Sequence, residues 1–389
     1  MGELIQLNFR MFIWYKTTHI MRNLKLALIG LILLPLFSFQ TPKNTSIKVA
    51  LILDTSNSMD GLIDQAKSQL WSIINELSTA KCDGETPQLQ IALYEYGNDK
   101  LSMREGYIRL VTPFTSDLDL ISEKLFALRT DGGSEYCGQV ISMSLKELDW
   151  EEYPKDLKLI FIAGNEPFDQ GNTSYREVCK TANNNDITVN TIFCGDFKKG
   201  IQTHWKDGAY IGGGDYMNID QDIEYVHIKS PYDDRIMKLN KELNSTYIGY
   251  GQLGRKYATR QTIQDENALS VNDDVALKRA SSKSKSVYKN TQWDLVDASE
   301  EIDFDIDVIL NDDLPDEMKN MTSEEKEKYI EEKQIKRRKI QSEINELSTK
   351  RDKYVAEKTV NDTTNMLDKA ILKAVKKQAI AKNYVFDDN

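Results

Sequence analysis

Asp54, Ser56 and Ser58 stand at alternate positions in Leu53-Asp54-Thr55-Ser56-Asn57-Ser58-Met59, directly after an apolar run and ahead of a helical pattern. One carboxylate with two neutral hydroxyls is an all-oxygen donor set of low charge. It suits Mg2+, which keeps several waters and takes one or two carboxylates; Mn2+ and Ca2+ are the other hard ions such a set can hold. Asp and Ser ahead of a helix are also preferred N-caps, so each of the three taken alone is explained as well by a cap. Gly132-Gly133-Ser134 offers another hydroxyl ahead of a second helical pattern, with Thr130 just before the glycines. Catalytic alternatives lack parts. Asp54-Thr55-Ser56 is not an Asp-x-Asp phosphotransfer motif, no Ser/His/Asp order is suggested, and Cys194 with His204 is a loose pair. Gly212-Gly213-Gly214 is not followed by the Lys-Ser/Thr of a phosphate loop and reads as a turn.

These residues need a rigid scaffold, and the hydrophobic pattern supplies one. Ile47 to Leu53 is apolar except for Lys48, as a strand buried on both faces should be. Leu62, Ala66, Leu70, Ile73, Ile74 and Leu77 follow at helical spacing. Leu89 to Tyr96 and Tyr107 to Val111 read as strands whose short link permits an antiparallel pair. Leu118 to Leu128 and Val140 to Leu148 read as helices, Leu157 to Ala163 as a buried strand, Tyr175 to Ala182 as a helix and Ile187 to Cys194 as a strand. A helix near Ile201 to Gly208 and a strand near Tyr216 to Ile219 close the series. Strands and helices taking turns specify a doubly wound α/β sheet, and the Asp54 loop falls at the carboxyl end of a central strand, where such sheets put ligands.

Asp54-x-Ser56-x-Ser58 after a buried strand resembles the metal-ion-dependent adhesion site (MIDAS) of von Willebrand factor A (VWA) domains. Gly132-Gly133-Ser134, Val189-Asn190-Thr191-Ile192-Phe193 and Tyr210-Ile211-Gly212-Gly213-Gly214-Asp215-Tyr216 resemble that family's second-motif loop, fifth strand and turn into its last strand. The resemblance spans residues 46–225. It implies a Rossmann-like VWA fold, a six-stranded mostly parallel sheet with one antiparallel edge strand. It further implies Asp54, Ser56, Ser58 and Ser134 as metal ligands, direct or through water, and a protein partner whose carboxylate completes the ion's shell. One departure stands out: the family's Thr-Asp-Gly after the fourth long strand is here Ala163-Gly164-Asn165-Glu166-Pro167, so Gly164 occupies the usual Asp position. Asn165 or Glu166 can substitute only after a small shift.

Composition narrows the classes. The chain has 389 residues and a formal charge of −11, which argues against phosphate-neutralising nucleic-acid binding. Met21-Arg-Asn-Leu-Lys followed by the apolar Leu26 to Phe39 has the layout of a secretory signal, about 14 apolar residues against the roughly 20 of a membrane span. Residues 21–40 are therefore expected to be a cleaved signal, residues 1–20 upstream read-through, and the protein periplasmic or secreted, with no stable membrane span. Cys82, Cys137, Cys179 and Cys194 leave two disulfides in three pairings, or free thiols, open; with three scattered histidines they make no zinc spacing.

The remainder divides in two. Residues 226–315 carry helical patterns at Asp233 to Leu243 and Asp273 to Ala280, a Gly-punctuated stretch at Tyr247 to Gly254 and a Ser/Lys-rich link at Ser281 to Ser286, with no readable fold. Ile302 to Val308 alternates apolar residues with Asp303, Asp305 and Asp307, fitting a strand or an exposed linker. Residues 316–389 read as an α-helical hairpin. A long charged, coiled-coil-like helix runs from Thr322 to Ala356 with a stripe of Ile340, Ile344, Leu347 and Tyr354, and a second from Thr363 to Ala381 with Leu367, Ile371, Val375 and Ala379. The functional expectation is an exported, non-enzymatic module that binds another protein through a divalent cation. A metal-independent scaffold with a degenerate site is the alternative, and a metal-dependent hydrolase ranks below both.

Overall fold

The computed structural model describes residues 45–59, 62–151, 153–219, 228–358 and 366–386, so the expected signal and upstream segments lie outside the described residues. Along the chain run β1 (Ser46–Asp54), α1 (Leu62–Leu77), the short β2 (Ala80–Lys81), β3 (Gln88–Tyr96), β4 (Ile108–Thr115), α2 (Leu118–Ala127) and α3 (Cys137–Glu147). They are followed by β5 (Leu157–Gly164), α4 (Tyr175–Asn184), β6 (Thr188–Cys194), α5 (Phe197–Gln202), α6 (Trp205–Ile211) and β7 (Gly213–Ile219). The six-stranded sheet has the order β4-β3-β1-β5-β6-β7. Every pairing is parallel except β3 with β4.

β1 is central, and its alternating side chains found two cores. Ile47, Val49, Leu51 and Leu53 point to the face covered by α1 and α2, with Trp71, Ile74, Ile121 and Leu125. Ala50 and Ile52 point to the face covered by α3, α4 and α6, with Val140, Cys179 and Trp205. A strand buried on both sides must be nearly all apolar. The exception, Lys48, is buried, and its ammonium donates to the Asp149 carbonyl at 2.6 Å. The expected helix near Ile201 to Gly208 is two helices, broken at His204, which sits at φ +69°. The four cysteines are free and buried, which decides between the open alternatives.

The extension adds α7 (Asp233–Asn244), α8 (Gly254–Val271), α9 (Asp273–Lys283), α10 (Leu295–Ala298), α11 (Ser323–Lys358), α12 (Met366–Ala381) and β8 (Val385–Phe386). Ala268, Val275, Ala276, Tyr288, Ile371, Val375 and Tyr384 join the core on the α1–α2 face of the sheet. Beside them runs a polar seam. Arg279 reaches Asp119 of α2 and Asp265 of α8, its guanidinium lies 4.9 Å from the Trp71 ring, and Lys283 binds the same Asp265. Arg337 of α11 bridges Asp294 and Asp297, and Arg351 bridges Asp233 and Asp274.

Ser281 to Ser286 is not a link in its first half. α9 continues through Lys283, Ser282 is fully buried, and its hydroxyl donates to the Asn75 side chain at 2.8 Å. Ile302 to Val308 forms no strand; Ile302 is fully exposed and Ile306–Val308 is a 3-10 turn. Both C-terminal helices are present, each on its own neighbour. α11 lays Ile340 and Ile344 against Ile236, Leu239 and Leu277, whereas α12 packs on α1 and β7, and β8 pairs antiparallel with β2.

Candidate functional site

Three strand ends converge at the carboxyl edge of the sheet: Asp54 of β1, Tyr96 of β3 and Gly164 of β5. Asp54 is fully buried, and its Oδ1 accepts the Ser56 amide at 2.8 Å, turning the chain out of the strand. That turn brings the Ser56 and Ser58 hydroxyls within 2.8 Å of each other. Ser58 donates onward to the Asn165 Oδ1 at 3.0 Å, and the Asn165 amide returns to the Ser58 carbonyl at 3.3 Å.

The second loop is drawn in by backbone bonds. The Asp131 amide donates to the Thr55 carbonyl at 3.0 Å, and the Asp99 amide to the Asp131 carbonyl at 3.4 Å. Gly133 makes this approach possible: it adopts φ +132°, and a Cβ there would lie 1.9 Å from the Gly97 carbonyl oxygen. What the loop delivers is Glu135. Its carboxyl is buried against the Asp54 carboxyl and the Ser56 hydroxyl, and its amide donates to the Gln170 side chain at 2.7 Å. Burial pushes the Asp54 carboxyl up to about 6, against the hydrogen bonds from Glu135 and Ser56 that hold it down, while burial and then the neighbouring Asp54 push Glu135 up to about 10. Asp54 Oδ2 and Glu135 Oε2 are buried without a hydrogen-bond partner.

Of the residues expected from sequence, Asp54, Ser56 and Ser58 are brought together. Ser134 lies half-buried beside Glu135, with no hydrogen bond to the three among the described residues. Thr130 lies half-buried in the same loop. Asn165 is hydrogen-bonded to Ser58, and Glu166 is close enough to raise the Asp54 and Glu135 carboxyls further. Glu135 was missed, although an acid directly after Gly-Gly-Ser and ahead of a helix was a visible signal.

Gly164 is a glycine for a steric reason. A Cβ there would stand 2.4 Å from the Tyr96 Oη, 3.0 Å from the Trp205 ring and 3.3 Å from the Asp54 Cβ. Tyr96 donates its hydroxyl to the Ala163 carbonyl at 3.1 Å and fills the room a side chain would need. The carboxylate absent at 164 thus has a counterpart across the site, in Glu135.

The sheet order, the antiparallel edge strand and an Asp-x-Ser-x-Ser loop at the carboxyl end of the central strand decide the architecture. The fold is that of a VWA domain. No protein-family model matches the chain, and no curated protein matches it. Solved VWA-type structures do. The conserved hypothetical protein BatB from Bacteroides thetaiotaomicron is 17% identical, with a TM-score of 0.34 over 45% of this chain and 91% of its own. The SpRpn10 VWA domain is 13% identical, with a TM-score of 0.36 over 46% of this chain and 91% of its own. Proximal thread matrix protein 1 of the mussel byssus, with a zinc-occupied MIDAS motif, is 11% identical, with a TM-score of 0.32 over 45% of this chain and 42% of its own.

A hard divalent cation fits the VWA-type site. Its donors are all oxygens, two carboxylates, two hydroxyls and one amide, and its two orphaned carboxyl oxygens are buried side by side. Two buried carboxyls this close are costly to ionise together, and a cation between them would replace the proton that Glu135 otherwise holds. Among the described residues no group of three or more His, Cys, Asp or Glu is placed to hold a metal, so an ion at this site would rest on two carboxylates and neutral oxygens.

Proposed function

We propose that the chain is an exported protein-interaction module whose VWA-type unit binds a partner through a divalent cation, Mg2+ in the first instance. Asp54, Ser56, Ser58 and Glu135 would hold the ion, with Asn165 positioning Ser58 and Ser134 within reach through water. The bound ion would supply an open position for a partner's carboxylate. The observation that carries this reading is the pair of buried oxygens on Asp54 and Glu135 without a hydrogen-bond donor, at the carboxyl edge of the sheet with Ser58 exposed in the same loop. Export rests on the residue 21–40 pattern alone. Burial of the four thiols is compatible with it, since Cys137, Cys179 and Cys194 are all pushed up and hold little reactive thiolate.

The test is calorimetric titration of Mg2+ and Mn2+ into chelator-treated residues 44–389, which form one compact unit, beside Asp54→Ala. Saturable heat lost in the variant supports the reading; no binding by the folded protein overturns it. The alternative, a metal-independent scaffold, draws on the blocked Gly164 position and predicts partner binding that ignores chelator.

A further inference from the structure

Beside the proposed cation site lies an exposed step that the fold itself does not use. On α5, Phe197 and Ile201 are 47% and 39% exposed and, four residues apart, lie on one side of the helix. Phe197 is held in place. Its ring lies 5.1 Å from that of Tyr216, and the Tyr216 hydroxyl donates to the Phe197 carbonyl at 2.8 Å. Gly200 lets the helix settle this close, since a Cβ there would stand 2.1 Å from the Tyr216 Oη. An aromatic ring fixed in advance loses little entropy when something docks on it.

Lys198, Lys199 and Lys206 are exposed around this step without an ion-pair partner among the described residues, and outnumber Asp196, the exposed cap of the helix, in a chain whose net charge is −11. The step is continuous with the site. The Phe168 amide donates to the Thr203 carbonyl at 2.9 Å, and the Trp205 indole N–H to the Glu166 carbonyl at 2.7 Å. The same 164–168 loop carries Asn165, which binds Ser58. The step is thus joined, through residues 165–168, to the loop that binds Ser58.

We infer that the occupant of this surface is an acidic segment of a partner protein that sets one carboxylate at the Asp54–Ser58 site and a large apolar side chain on Phe197 and Ile201. Its neighbouring acidic residues face Lys198 and Lys199. The inference rests on the cation-dependent reading above and adds the partner's chemistry to it.

The experiment is selection of phage-displayed random dodecapeptides on immobilised residues 44–389 in Mg2+, with elution by chelator. Each enriched peptide is then titrated against Asp54→Ala, the double variant Phe197→Ser/Ile201→Ser and the double variant Lys198→Glu/Lys199→Glu. Thermal melts establish that each variant is folded. The expected peptides carry Asp or Glu within a few residues of a large apolar side chain, and each α5 double variant weakens them by roughly tenfold or more. Chelator-eluted peptides that bind the α5 variants as well as the parent overturn this inference and leave the cation-dependent reading standing. Peptides that need α5 and are indifferent to chelator and to Asp54→Ala overturn both. Self-association of the protein lost in Phe197→Ser/Ile201→Ser would assign the step to a second copy of the chain and overturn the inference, as would the absence of any enriched peptide.

Discussion

Replacing Glu135 by Gln separates the proton chemistry of the site from its shape. In the metal-free protein the Asp54 and Glu135 carboxyls face each other in a buried place, so the folded state holds a proton that the unfolded chain releases near the ordinary glutamic value of 4.5. A carboxyl whose value is raised on folding binds more protons in the native than in the unfolded state. Its contribution is fully present below pH 4.5 and is lost as pH rises toward about 10. At pH 7.5 that is about 3 pH units at about 1.4 kcal/mol each, or roughly 4 kcal/mol as an upper bound. Glu135→Gln keeps the volume and removes the titration. Melted in chelator at pH 7.5, it should be more stable than the parent by up to this amount, and the gap should vanish at pH 4.5. Saturating Mg2+ should raise the melting temperature of the parent more than that of the variant, because the variant has lost one charged ligand. Binding to the parent should release about one proton per ion, seen as a calorimetric heat that depends on the buffer's ionisation enthalpy, with affinity rising as pH rises. A metal-free Glu135→Gln protein that is less stable than the parent at pH 7.5, or an Mg2+ affinity indifferent to pH, would refute the reasoning.

Three further outcomes follow from packing. Gly164→Asp should not restore a stronger site: its Cβ collides with the Tyr96 hydroxyl, and overpacking of this kind costs about 1–3 kcal/mol, read as a lower denaturant midpoint with no gain in Mg2+ affinity. Arg337→Ala strips the partner from Asp294 and Asp297, both buried, with Asp297 already pushed up to about 6 by burial and by Asp294. About 3–5 kcal/mol should be lost at neutral pH, with the loss shrinking on acidification as Asp297 takes up a proton. A chain ending at residue 225 should expose Trp71, Ile74 and Ile121 and bind a hydrophobic dye or precipitate, whereas residues 44–389 should unfold in one cooperative transition by calorimetry.

The α/β unit was legible because its strands are buried on both faces and its helices on one, so burial writes itself into hydrophobic period. β1, β3, β5 and β6 fall within a residue or two of the apolar runs that mark them. The extension was opaque for the opposite reason. The buried face of α8 is Arg260, Gln261, Gln264 and Ala268, closed by partners that come from far along the chain, such as Ser122 for Gln264 and Asp117 for Arg260. A polar seam satisfied in three dimensions has no hydrophobic period to read. The Ser/Lys run at the end of α9 misled in the same way, because Lys283 is buried by pairing with Asp265. At the site, the first loop was legible because its spacing is local. Glu135 was not, since its role depends on the Gly97–Gly133 contact that brings its loop to Asp54.

The pairing of β8 with β2, together with the Tyr384 hydroxyl on the Ser46 and Lys155 carbonyls, ties the first strand of the sheet to residues more than three hundred positions later. A ribosome delivers these in order, so the cover over the α1–α2 face, begun by α8 and α9, is not closed until residue 384 has emerged. Non-local contacts of this span are formed late in folding. The chain therefore cannot complete this packing until residues 384–386 are present.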